Sequence, residues 1–92
     1  MSRDCDAIGC TTPTASGRFM CLKHWRLVPI ELQRTINDRY RTLRRDFAFL
    51  SDVAYLNACT EAIDRIARTE GKEGRNQYRA LLAIAQRKAG NA

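Results

Sequence analysis

Four side chains within twenty consecutive positions constrain this chain more than any other feature: Cys5, Cys10, Cys21 and His24. The spacing is Cys-x4-Cys, ten intervening residues, then Cys-x2-His, and His24 is the sole histidine of the 92 residues. A tetrahedral Zn2+ site takes four soft or borderline ligands, delivered as two pairs from two short elements joined by a turn. Thr11–Met20 supplies that turn, with β-formers at its ends and Pro13, Ser16 and Gly17 between them. The expectation is one structural zinc ion. Two rival readings are a disulfide framework, since Cys59 makes the cysteine count four, and a set of unrelated free thiols. Against disulfides stand the histidine at ligand spacing, the distance in sequence of Cys59 from the other three, and the lack of a secretory signal.

Size makes a metal physically sensible. A domain of this length buries only about 60–65% of the surface its unfolded chain exposes. Structural zinc in finger-like peptides binds with about 10–16 kcal/mol, and that energy goes into folding. Chelation is therefore expected to loosen the amino-terminal third. Met1-Ser2-Arg3-Asp4-Cys5 shows no apolar run behind a basic start, and no stretch approaches the roughly 18–20 apolar residues of a membrane span. A reducing cytoplasm, with no membrane contact, is the expected setting for thiolate ligands.

The fold expected is mainly α, with a small treble-clef or knuckle-like zinc lobe on a two- or three-helix hairpin or bundle. Residues 1–28 form the lobe and 29–92 the helical region, all in one compact domain. Phe19-Met20-Cys21 reads as the end of a short strand and Cys21–Trp25 as one helical turn, with Leu22 and Trp25 closing the small core beside the metal. Pro29 suits the first position of a new helix. Leu32, Ile36, Tyr40, Leu43, Phe47 and Leu50 then mark one face of a helix over 30–50. Ser51-Asp52 offers an N-cap for a helix over 52–69, with Tyr55, Leu56, Cys59, Ala62, Ile63 and Ile66 inward. Cys59 reads as a small core residue. A third helix spans 75–89, with Tyr78, Leu81, Leu82 and Ala85 inward and Gly90 as its stop. Pattern alone leaves open whether the first two helices run together through Ser51.

Net charge is +6, and thirteen of the sixteen basic residues are arginine. Arginine excess favours bidentate contact with phosphate or carboxylate. On the helix over 30–50, Arg34, Arg41 and Arg45 fall within about 40° of one another and nearly opposite the apolar face. Arg44 lies on their flank and Asp38 interrupts them. This is either an ordinary solvated face or a contact surface for phosphates or an acidic partner. Arg18, Lys23 and Arg26 add basic groups to the zinc lobe.

The motif Cys5-x4-Cys10 … Cys21-x2-His24-Trp25, followed by Val28-Pro29 and by Ala54-Tyr55-Leu56 … Ala62-Ile63 … Glu70-Gly71, resembles a group of small zinc-binding proteins of tailed bacteriophages and prophages. The resemblance covers roughly residues 5–71. It implies a phage protein working in the cytoplasm of an infected bacterium, and names no target. Arg41–Val53 departs from the group, reading here as further helix where those proteins often carry a glycine-containing loop, and the third helix is longer.

Catalysis is the least supported class. Three thiolates and one imidazole fill all four positions of a zinc ion, no second histidine stands by as a base, and no phosphate loop, nucleophile elbow or carboxylate pair is present. Two non-catalytic classes remain. One binds nucleic acid or nucleic-acid-processing machinery through Arg18, Lys23, Arg26, Arg34, Arg41, Arg44 and Arg45. The other is an inhibitor or adaptor docking on a host protein, an anti-defence or host-takeover factor, using the same arginines, an apolar groove or a homodimer interface. Exposure of Tyr40, Phe49, Tyr55 or Tyr78 as a patch would favour the second class.

Overall fold

The computed structural model describes residues 3–14, 19–46 and 51–90. Among these residues two short strands, β1 (Arg3–Asp4) and β2 (Pro13–Thr14), precede four α-helices: α1 (Leu22–Trp25), α2 (Ile30–Leu43), α3 (Val53–Glu70) and α4 (Gln77–Gly90). The chain is mainly helical, with its cysteine and histidine cluster at the amino-terminal end.

α3 is the centre of the packing, with α2 on one flank and α4 on the other. Its six expected inward residues are all buried, and Ala58, Thr60 and Ala67 join them because two flanks are covered rather than one. Leu56 and Cys59 are completely enclosed. Small residues at 58, 62 and 67 let the neighbouring backbones approach, while Leu56, Ile63 and Ile66 supply the volume. α2 contributes Ile36 as its fully buried residue, with Leu32 and Tyr40 half-buried against the core. α4 contributes Tyr78 and Ala85, flanked by Leu81 and Leu82.

The helix ends follow local chemistry. Asp52 is extended and accepts a hydrogen bond from the Tyr55 amide at 2.8 Å, so it is the N-cap of α3. The same carboxylate takes two hydrogen bonds from Arg39, Nη2 to Oδ1 at 2.7 Å and Nε to Oδ2 at 3.0 Å. This fork ties α2 to the start of α3 and answers the question of continuity: the two helices are separate. α2 also ends earlier than the periodicity predicts. The α-helix stops at Leu43 and Arg44–Asp46 form a 3-10 turn, so Arg44 and Arg45 lie on that turn and not on the α-helix itself. Phe47, Phe49 and Leu50 lie outside the described residues. α3 closes on Gly71 at φ +67°, with Lys72 N–H bonded to Ala67 C=O and Gly71 N–H to Arg68 C=O, a Schellman arrangement that only glycine enters without strain. α4 starts two residues later than expected, where the Asn76 side chain accepts from the Tyr78 amide and donates to Thr60 C=O, and Gly90 is its last described residue.

The amino-terminal lobe differs from expectation in two ways. The strands enclose the first ligand pair: β1 pairs antiparallel with β2 in the register Arg3↔Thr14 and Asp4↔Pro13, and Phe19-Met20 is a bend. A two-stranded ribbon has only edges, so Pro13 is tolerated there despite lacking an N–H. The second difference is Leu22, which stands 56% exposed instead of closing the lobe. Cys21, His24 and Trp25 occupy one side of the short α1, and a full turn of about 3.6 residues leaves Leu22 on the other. Trp25 does pack against the core, half-buried.

Candidate metal centre

The first ligand pair sits on a tight knuckle. Cys5 N–H bonds to Thr12 C=O and continues the ribbon, the Cys10 amide turns back to Ala7 C=O at 3.1 Å, and Gly9 takes φ +77° between them. An l-residue at Gly9 would be strained by that dihedral alone. The second pair sits on the start of α1, where Cys21 is the extended N-cap residue and His24 lies one turn on. This delivers two pairs from two short elements, the expected logic.

The four ligand atoms all lie within 4.8 Å of one another. His24 Nδ1 is 3.2 Å from Cys21 Sγ and 3.6 Å from Cys5 Sγ. Around a tetrahedral ion with bonds of about 2.3 Å to sulfur and about 2.0 Å to nitrogen, donor atoms stand roughly 3.5–3.8 Å apart, so this cluster is close to ligand geometry. Cys5, Cys10, Cys21 and His24 can hold one metal ion. None of the four cysteines is in a disulfide, and Cys59 is buried in α3, where burial pushes its thiol up to about 12.

The thiols are not equivalent. Burial pushes Cys5 up to about 11. At Cys10 the effect of burial is outweighed by the hydroxyl and N–H of Thr12 and by the neighbouring Cys5 and Cys21 thiols, which bring it down to about 7. The Thr12 hydroxyl is 3.3 Å from the Cys10 sulfur. Cys10 thus reaches the thiolate form that a cation needs more readily than Cys5 does.

His24 is 3% exposed, and its other ring nitrogen meets Glu70: Nε2 is 3.0 Å from Oε1 and 3.2 Å from Oε2. A carboxylate only accepts, so Nε2–H donates to it, and in a neutral imidazole that tautomer leaves Nδ1 with a lone pair on the side of the sulfurs. Lys72 Nζ lies 3.5 Å from the same carboxylate. Partial desolvation opposes it, but His24 and Lys72 hold the Glu70 carboxyl below its usual range. Glu70 was not among the expected site residues. The one local sign was an acid in the last turn of a helix, where the macrodipole disfavours negative charge. A second link crosses the same seam: Asp6, between the two knuckle cysteines, accepts from Tyr78 Oη at 3.0 Å and from Gln77 Nε2 at 3.1 Å, and Phe19 meets Tyr78 edge to face at 5.3 Å.

The basic candidates are not gathered at this centre. Lys23 and Arg26 are exposed on and just after α1, Arg34 and Arg41 are exposed along α2, and Arg44 and Arg45 are exposed on the 3-10 turn. Arg18 lies outside the described residues. Among the described residues no helix is long and apolar enough to cross a membrane. Comparison with protein-family models, with curated proteins and with solved structures returned no match to this chain.

Proposed function

We propose that this chain is a small, non-catalytic interaction module, stabilised by one zinc ion, that binds nucleic acid and so acts on nucleic-acid-processing complexes. Zinc is the choice because three thiolates and one imidazole suit it and fill its tetrahedral shell, leaving no position for water or substrate. The proposal takes its setting, an infected bacterial cytoplasm, from the resemblance to phage and prophage zinc proteins.

The observation that carries the reading is which cations are paired. Arg39, Arg65, Arg79 and Lys72 are held by Asp52, Glu61, Asp64 and Glu70. Arg34, Arg41, Arg44 and Arg45 have no acidic partner among the described residues, although Glu31 and Asp38 share α2 with Arg34 and Arg41. Asp52 and Asp64 thus neutralise Arg39 and Arg79 where they fasten α2 and α4 to α3, Glu61 pairs with Arg65 within α3, and the arginines exposed on α2 and the turn after it keep their charge. Guanidinium groups spaced along one helix face meet phosphates with little choice of base sequence. The aromatic residues support the same reading: Tyr55 and Tyr78 are buried, and Tyr40 is half-buried with its ring 6.4 Å from that of Tyr55.

The test is a fluorescence-anisotropy titration of labelled single- and double-stranded DNA and RNA with the zinc-loaded protein over a range of salt concentrations. Affinity should fall steeply with salt, by a log–log slope of roughly −0.7 to −0.9 per phosphate contacted. The combined variant R34E, R41E and R45E should keep its zinc and helicity and lose binding. Unchanged binding by that variant would contradict the proposal.

A further inference from the structure

We infer that the outer corner where α1 meets α2 is a second docking surface, built to take an acidic amphipathic segment of a partner protein. This goes beyond nucleic-acid binding and would make the molecule an adaptor. Among the described residues four large apolar side chains are strongly exposed, and three of them, Leu22 (56%), Leu27 (47%) and Ile30 (54%), fall within nine consecutive positions. One exposed leucine is ordinary; three gathered at one corner are informative.

The corner is held rigidly, so their exposure is not an effect of loose chain. Arg26 N–H bonds to Leu22 C=O, Leu27 N–H to His24 C=O, and Val28 N–H to Trp25 C=O. Gln33 Nε2 reaches back from α2 to Trp25 C=O at 2.8 Å. The inner side of the same corner is anchored by His24 and Val28, each 3% exposed. With the inner side so fixed, Leu22 and Arg26, one turn apart, share the outer side of α1.

Charge selects the occupant. Lys23 and Arg26 are the chain neighbours of Leu22 and Leu27, and Arg34 lies one turn after Ile30 on α2. All three are exposed without an acidic partner among the described residues, and Glu31 is the one acid in residues 22–34. A second copy would bring the same cations against each other across a twofold interface. Nucleic acid offers phosphates, and its bases stack on aromatic rings rather than on leucine and isoleucine. A bilayer surface calls for an extended amphipathic helix, and α1 has a single turn. A protein segment with apolar anchors about three or four positions apart and Asp or Glu around them matches both the apolar and the charged part.

The experiment pans a displayed random-peptide library on the zinc-loaded full chain, then measures synthetic versions of the enriched peptides by anisotropy. Enriched peptides should carry aliphatic or aromatic anchors and net negative charge, with dissociation constants of about micromolar order. The variant L22S, L27S and I30S should weaken them by at least about tenfold, as hot-spot truncation does, while keeping its zinc content and nucleic-acid binding. The variant K23E and R26E should weaken them as well, and R41E with R45E should leave them bound. Failure to enrich any peptide, or equal binding to the serine variant, would overturn the inference. So would association into dimers, or binding to phosphatidylserine vesicles, that the serine variant abolishes.

Discussion

Residues 3–28 and helix α3 are ordered by different physics. In α3 nine of eighteen side chains are buried, and their order comes from apolar contact on two flanks. Among the described residues of the lobe, regular structure amounts to two two-residue strands and a one-turn helix, and two of the few buried side chains there, Cys5 and His24, are candidate metal ligands. A helix of four residues has no stability of its own, since nucleation is unfavourable until several turns form. The helices are therefore expected to hold themselves together, and the lobe to depend on an ion bound by its four candidate ligands. The two parts meet at Glu70 and Asp6, which fasten each region to the other.

The largest expected effect separates the regions directly. Removing the metal with a chelator should abolish hydrogen-exchange protection in the lobe, a loss comparable with the about 10–16 kcal/mol of structural zinc binding, while the middle of α3 stays protected. Complete unfolding of all the helices would show that the division is false. The reciprocal perturbation is Leu56→Ala in α3. Burying no substitute for a fully enclosed side chain, it should cost about 2–5 kcal/mol in denaturant unfolding and leave the bound zinc in the folded protein unchanged.

The seam gives the next effect. Glu70→Gln can still face His24 but no longer stabilises the Nε2 proton as an anion, so zinc affinity should fall by about 10–100-fold in competition with a chromophoric chelator. An unchanged affinity would make Glu70 a bystander. Smallest is the link within the helical region. Arg39, through its hydrogen bonds, holds the Asp52 carboxyl below its ordinary range, with partial burial opposing and the Tyr55 amide assisting. A depressed folded-state value means stability that is present above the unfolded value of about 3.9 and lost as pH falls through the folded one. Asp52→Ala should lower stability by about 1–2 kcal/mol at pH 7, and the difference from wild type should shrink in acid. A constant difference down to pH 2, followed by circular dichroism, would show that the carboxylate charge is irrelevant.

The helical region was largely legible in the sequence. Apolar spacing marks the inward residues of α3, Asp52 marks its start and Gly71 its end. What periodicity misplaces is the end of α2, because an apolar pattern continues in the sequence through Phe47 and Leu50 whatever the backbone does; the Arg39–Asp52 fork that ties α2 to the start of α3 joins residues thirteen apart. In the candidate site the four ligands are legible because metal geometry forces short spacings. Glu70 is 46 residues from His24, and Gln77 and Tyr78 are 71 and 72 from Asp6, so no local pattern joins them. Leu22 was misassigned for a simpler reason: a one-turn helix has only one inner side, and Cys21, His24 and Trp25 already occupy it.

The most direct measurement is native mass spectrometry of the purified protein and of the four single variants C5S, C10S, C21S and H24A. The expected result is one zinc ion per chain in the wild type and loss of tight zinc binding in every variant. A wild-type chain that takes up no zinc, or a C21S chain that keeps one and remains fully stable, would contradict the account.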